Sequence, residues 1–233
     1  MVKYIHITFD TDWAAEEVVQ YAVNLIVSNH LSATFFATGF YKCLQNTPSC
    51  IEVALHPNFN PILNGSGSSF TTIFDELHTI YPNAKGFRSH SLTQSSHILS
   101  HAKHKGMVYD SNLYHPKQGE PYLDYSGLIR FTHTWVDLGH LLDKFDFDIT
   151  KIPLSETATN ILDFHPIHTY LNTPSTDYYN SIKALTTQAE ELKANINKDN
   201  RGVQDIVLDL IEYIKTHSIK TQTLFELYNT YEK

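Results

Sequence analysis

Cysteine, tryptophan and methionine each occur only twice in 233 residues. Two cysteines, Cys43 and Cys50, cannot make a disulfide framework, so the chain is not a small cross-linked domain and both are read as free thiols. Cations are scarce as well. Seventeen Lys and Arg against 25 Asp and Glu leave a formal charge of −8, the wrong sign for displacing counterions from phosphates, which excludes nucleic acid as a partner. No apolar run approaches the roughly 18 residues needed to cross a bilayer, so no transmembrane segment is expected. No charged-then-apolar leader precedes the first strand, so the expected location is the cytoplasm, in solution or against the membrane. Repeats and an inter-domain linker are also missing. What is present is 42% hydrophobic and 12% aromatic residues, enough to bury a full core, together with 14 histidines. Three of these, His97, His101 and His104, fall on a predicted surface helix and carry little information.

Strand and helix patterns alternate along the chain. Tyr4 to Phe9 reads as a buried strand, Ala14 to Ser28 as an amphipathic helix, and Ala33 to Thr38 and Ile51 to Leu55 as further strands. Residues 64–69, Asn-Gly-Ser-Gly-Ser-Ser, form a loop, and Phe70 to Tyr81 has helical spacing closed by Pro82. Gly86 to Arg88 is a short strand, and Gln94 to Lys105 a helix stopped by Gly106. Met107 to Tyr109, Leu128 to Phe131 and Asn160 to Phe164 are strands. The tail is read as helical over Thr176–Asn195, Val203–His217 and Thr223–Glu232. Such alternation predicts an α/β fold with a mostly parallel sheet and right-handed crossovers, closed or nearly closed as a barrel. One domain over residues 1–233 is expected, with a barrel core in 1–170 and a helical part in 171–233.

Chemistry in such folds gathers where parallel strands end. Asp10, Asp12, His56, Asn60, Arg88, His90, His165 and His168 all lie at or just past the ends of predicted strands. Asp10 and Asp12, two residues apart, point to one side if the strand persists, and two such anions favour a cation between or beside them. They equally suit capping of the following helix. Likewise Arg88 alone suits a surface ion pair, His165 a hydrogen-bonded core position, and Pro166 a turn. Taken together, carboxylates and imidazoles on one rim suit a divalent metal that activates water.

Thr8-Phe9-Asp10-Thr11-Asp12, Ala33-Thr34-Phe35-Phe36, His56-Pro57-Asn58-Phe59-Asn60-Pro61, Arg88-Ser89-His90-Ser91 and Ile161-Leu162-Asp163-Phe164-His165 occur in that order. This series resembles the polysaccharide deacetylase superfamily, the NodB-type domains of carbohydrate esterase family four. The first motif resembles Thr-Phe-Asp-Asp-Gly with one residue inserted between the acids. The second keeps the frame of His-Ser/Thr-x-x-His-Pro with Asn60 in place of the second His. Of Arg-x-Pro-Tyr only Arg88 remains, and the motif pairing an Asp with a Trp is matched weakly by Asp137 and Trp135. His-Pro-Asn-Phe-Asn-Pro, Arg-Ser-His and His-Pro-Ile-His further resemble a divergent WbmS-like branch associated with bacterial surface polysaccharide.

The resemblance implies a distorted (β/α)7 barrel that hydrolyses an N-acetyl or similar N-acyl group on an amino sugar or its carrier. It implies a metal, zinc first with cobalt, nickel and manganese as alternatives, on Asp12, His56 and Asn60. Asp10 would be the base, His165 the acid, and Arg88 the orienting partner of Asp10. Ser91, in the place of the family's Tyr, would turn its N–H toward the oxyanion. His90 and His168 are the alternatives to Asn60, and Asp137 and Trp135 are further candidates for the metal or the sugar. Gly202, beside Asn200 and Arg201, is open to reading as a substrate contact or as a helix break. Two rival functions keep the scaffold: a deformylase or other C–N amide hydrolase, and a carbohydrate-binding relic without catalysis.

Overall fold

The computed structural model describes residues 2–116 and 120–231. Ten strands are present among the described residues: β1 (Tyr4–Asp10), β2 (Ala33–Ala37), β3 (Ile51–Leu55), β4 (Gly86–Phe87), β5 (Tyr109–Tyr114), β6 (Tyr122–Leu123), β7 (Ile129–His133), β8 (Trp135–Val136), β9 (Ile161–Phe164) and β10 (Lys220–Thr221). The helices are α1 (Glu16–Ser28), α2 (Asn60–Leu63), α3 (Phe70–Ile80), α4 (Ser96–His104) and α5 (Asp137–Leu142). They continue with α6 (Pro166–Leu171), α7 (Thr176–Ile182), α8 (Ala189–Lys193), α9 (Val203–Thr216) and α10 (Leu224–Tyr231).

The sheet runs β6-β7-β5-β4-β3-β2-β1-β9-β8, parallel throughout except for the antiparallel β6–β7 pair, and β10 pairs with the start of β1. This is the mixed α/β fold with a central parallel sheet that the alternating pattern predicted. Just past β7, Thr134 donates from its N–H and its hydroxyl to the Ile161 carbonyl of β9, so the sheet curls back toward its other end. Strands buried on both faces need apolar runs, and β2, Ala-Thr-Phe-Phe-Ala, is buried at every position. Phe9 stacks on Phe35 at 4.8 Å and touches Phe164 at 5.8 Å, which ties β1, β2 and β9 together. Helix α1 covers this layer with Val18, Val19, Ala22, Val23 and Ile26, a single stripe at helical spacing.

Three elements depart from the sequence pattern. The strand expected over Met107 to Tyr109 is displaced: β5 begins at Tyr109 and runs on through Asp110-Ser111-Asn112 to Tyr114. Its polar groups are paired internally: Asp110 Oδ2 lies 2.6 Å from Arg130 Nε, and Asp110 Oδ1 accepts from the Asn112 N–H and Nδ2. His165-Pro166-Ile167-His168 opens α6 instead of a turn, because proline at the first helical position lacks only an N–H that would be unpaired there. The long tail helix breaks into α7 and α8 with a 3-10 turn between them. Of the last helix, Glu232 lies outside the described residues.

The C-terminal part closes the end of the sheet opposite the strand termini that carry the site. At the start of α10, the Leu224 N–H donates to Thr34 Oγ1 and the Phe225 N–H to Glu52 Oε2. Glu52 also accepts from the Thr34 and Tyr109 hydroxyls, so a strand carboxylate anchors a helix N-terminus. His6 is buried near the same end, Nδ1 3.2 Å from the Gln222 carbonyl, and burial pulls its pKa down to about 4. The folded state therefore binds fewer protons than the unfolded chain between pH 4 and about 6.5, and stability falls as pH falls through that window. Denaturant unfolding at pH 7 and pH 5 is expected to show a loss of up to ~2 kcal/mol from this group, partly removed in His6→Gln. Identical pH slopes for the two proteins would contradict it.

Gly202 starts α9, where the Asn172 side chain caps the Gln204 and Asp205 N–H groups and the Asp205 carboxylate accepts from the Gly202 N–H. A Cβ on Gly202 would lie 2.2 Å from the Asn172 carbonyl oxygen, so the close approach of two backbones accounts for this glycine. The neighbouring Arg201 is committed to the Phe147 carbonyl and to Asp209. Gly202→Ala is expected to cost about 2–3 kcal/mol in equilibrium unfolding. A change below about 0.5 kcal/mol would show that the α6–α9 contact yields freely.

Candidate active site and metal centre

Strand endings deliver the polar groups. β1 ends at Asp10, β3 hands over to His56, β4 to Arg88 and β9 to His165. Past β1 the chain leaves strand geometry, so the two acids do not share a face by simple alternation. Asp12 and Trp13 are both left-handed, with φ of 40° and 57°. Such a backbone is disfavoured for residues with a Cβ and concentrates at functional sites. It is held by a clasp in which the Thr11 and Thr38 hydroxyls pair at 2.9 Å and the Trp13 N–H donates to Thr38 Oγ1.

The His56 ring lies between the two acids, Nδ1 3.7 Å from Asp10 Oδ1 and Nε2 3.2 Å from Asp12 Oδ1. His90 Nδ1 comes within 3.0 Å of the same Asp12 oxygen, and His165 Nε2 within 3.5 Å of Asp12 Oδ2. Burial works against charge on Asp12, but hydrogen bonds from His56 and His90 and the charge of His165 hold its carboxyl well below the usual range.

Asp12, His56 and His90 form a group whose donor atoms lie within 4.8 Å of one another. The separations of 3.0 and 3.2 Å approach the about 3.3 Å edge of a tetrahedron with metal–nitrogen distances near 2.0–2.1 Å. A carboxylate with two imidazoles is a donor set suited to zinc, so these residues fit a divalent metal. Asp10, Asp163 and His165 form a second such group. There the Arg88 guanidinium already supplies the positive charge, Nη1 donating to Asp10 Oδ1 at 2.9 Å and to Asp163 Oδ1 at 2.5 Å.

Arg88 is wholly buried. It also donates to Thr8 Oγ1 and to the Ser111 carbonyl and hydroxyl, and it packs 4.3 Å from the Phe36 ring centroid. Burial lifts the Asp163 carboxyl above its ordinary value even beside Arg88, and the like charge of Asp10 adds to the rise. Asp137 is wholly buried and grips His165 twice: its Oδ2 accepts the His165 N–H at 2.7 Å and its Oδ1 lies 2.6 Å from Nδ1. Burial opposes charge on the His165 imidazole, but Asp137 lifts its pKa well above the ordinary value.

Other expected residues stand elsewhere. Asn60, expected as the third donor, spends its amide on neighbours, Nδ2 donating to Ser91 Oγ at 3.0 Å and Oδ1 accepting from Thr93. The Asn58 side chain accepts from the Asn60 N–H, and the fourth residue after His56 starts α2. Ser91 is left-handed at φ 55° and accepts that Asn60 bond. His168 is buried with Nδ1 3.2 Å from Thr173 Oγ1 and its ring against Tyr179, and burial lowers its pKa to about 4. Trp135, a candidate for sugar contact, is 5% exposed and packs on Phe164 and His140, so it belongs to the core.

The sequence reading passed over three residues here. Asp163 had one signal, its place two residues before His165 on one strand. Asn112, whose Oδ1 accepts the Ser89 N–H at 2.6 Å and so fixes the loop carrying His90, had none. Trp13 projects beside His90.

A family model for WbmS-like polysaccharide deacetylases matches residues 7–183. The chain belongs to the WbmS-like polysaccharide deacetylase family. A solved structure from Bordetella bronchiseptica, a candidate polysaccharide deacetylase involved in O-antigen biosynthesis, is 31% identical, with 90% of each chain covered and a TM-score of 0.85. A carbohydrate esterase family four pseudoenzyme from Bacillus anthracis is 13% identical over 97% of this chain and 65% of its own, with a TM-score of 0.48. A candidate polysaccharide deacetylase from Mycobacterium smegmatis is 16% identical over 96% of this chain and 94% of its own, with a TM-score of 0.46. No curated protein matches the chain. Membership of the WbmS-like family agrees with the order of motifs along β1, β3, β4 and β9. No helix among the described residues is long and apolar enough to cross a membrane.

Proposed function

We propose that this WbmS-like chain is a metal-dependent hydrolase that removes an N-acetyl or similar N-acyl group from an amino sugar during bacterial surface-polysaccharide synthesis. The observation that carries this reading is the convergence of Asp12, His56 and His90 on one point, with the Asp137-supported His165 directed at the same carboxylate. Asp12, His56 and His90 would hold the metal, zinc first, and His90 takes the place expected of Asn60. When bound, such a metal polarises an amide carbonyl and acidifies water.

Asp10 then takes the proton from the attacking water, and Arg88 fixes which carboxylate oxygen faces it. The water oxygen bonds to the acyl carbon and the C–N bond breaks. The bonding pair goes to nitrogen, which receives the His165 proton, giving a free amine and a carboxylic acid that loses its remaining proton to solvent. Asp137 holds the imidazole in the charged form that can donate.

The test is acyl release from N-acetyl and N-formyl amino sugars, free, nucleotide-linked and lipid-linked, by metal-stripped protein before and after adding zinc. Zinc-dependent acetate release supports the reading. Preference for formyl substrates would make the chain a deformylase. Sugar binding without turnover in the zinc-loaded protein would make it a carbohydrate-binding relic.

A further inference from the structure

Trp13 is 43% exposed, whereas the chain's other tryptophan, Trp135, is 5% exposed. Its indole meets the His90 imidazole edge-on at 4.9 Å and 71°, so it stands beside the donor cluster without supplying a donor. Its backbone is left-handed at φ 57°, a conformation disfavoured for a bulky side chain. The bond from its N–H to Thr38 Oγ1 and the Thr11–Thr38 pair hold it there. Thr11 is the residue inserted between the two acids, and the insertion supplies half of that clasp. A large apolar ring kept in solvent on a strained, fixed backbone beside the reacting centre is the arrangement of a binding surface, not of a core residue.

We propose that Trp13 is the platform on which the pyranose ring of the substrate stacks, and so a specificity-determining residue. The inference rests on the amino-sugar deacetylase reading. A pyranose has a face of slightly positive C–H groups that suits the negative face of an indole, and its hydroxyl edge stays in water. The acyl carbon of a 2-acylamino sugar lies roughly 2.5 Å from the ring carbon that bears the nitrogen. A ring on Trp13 therefore brings that carbon toward the cluster that includes His90. An acyclic amide has no such face and gains nothing from the indole.

Trp13→Gly keeps the left-handed backbone and Trp13→Phe keeps an aromatic face. KM and kcat are compared for N-acetylglucosamine and for acyclic N-acetylethanolamine, with zinc titration of each variant. Trp13→Gly is expected to raise KM for the sugar by about three- to tenfold, with kcat within about twofold, and Trp13→Phe to recover most of the loss. KM for the acyclic amide and zinc affinity stay unchanged. An unchanged sugar KM overturns the proposal. So does an equal rise for both amides or weaker zinc binding, because Trp13 would then be acting through His90. Acrylamide quenching separates this from failure of the deacetylase reading, because Trp13 is the exposed fluorophore. If no amide is turned over, shielding of Trp13 by N-acetylglucosamine still supports the platform, and undiminished quenching overturns it.

Discussion

Alanine at His90 is expected to lower zinc affinity by more than about a hundredfold, well beyond what loss of a supporting contact costs, and to abolish zinc-dependent turnover. The reason is geometric. His90 Nδ1 and His56 Nε2 both come within about 3 Å of one Asp12 oxygen, whereas the Asn60 amide is bonded to Ser91 and Thr93. Asn60→Ala is expected to change zinc affinity by less than about tenfold, through the His90 loop alone. Isothermal titration of metal-stripped His90→Ala, Asn60→Ala and His168→Ala against zinc distinguishes the three. A collapse in Asn60→Ala with His90→Ala unaffected would return the third position to the residue that inherits the family's spacing. A collapse in His168→Ala alone would move it to α6.

Loss of His165 is expected to reduce kcat by about 10²–10⁴-fold while metal binding survives, the range typical of a positioned proton donor. Asp137→Asn tests how that donor is kept charged. Burial pushes the imidazole pKa down and the carboxylate holds it well above the ordinary value, so removing the carboxylate lets it fall. The acid form is then lost at lower pH, and the basic limb of the pH–rate profile moves down. A purely structural Asp137 would lower stability and leave the limb in place. Near-normal turnover in His165→Ala would remove this residue from the chemistry, and an unmoved basic limb in Asp137→Asn would remove the ion pair.

Where side chains answer to their own backbone period, the sequence was readable. β1, β2, β3 and β9 are short, mostly apolar runs that read as strands from composition, and their endings at Asp10, His56 and His165 lie within a residue of the pattern. β5 was not readable, because Asp110, Ser111 and Asn112 are tolerated in a buried strand only when Arg130, Arg88 and the Ser89 N–H arrive from elsewhere to pair them. Short elements such as β6, β8 and β10 carry too few residues to show a period, and they exist because a neighbouring strand supplies their hydrogen bonds.

The same division runs through the site. Residue type and chain order were enough to place Asp10, Asp12, His56, Arg88 and His165 on one rim as candidates, and the structure brings them together. Type and order were not enough to choose between Asn60 and His90. That choice depends on the Asn58 cap with which α2 starts at Asn60, and on Asn112 of the neighbouring β5 fixing the loop after β4. Nor could they give Arg88 a second carboxylate, since Asp163 reaches it only because β1 and β9 are neighbours. By itself the sequence determined the fold class, the order of motifs and the kinds of donor. Only the tertiary structure decided which donors meet, because spacing along the chain fixes side-chain direction within one element, and distances between elements are set by packing.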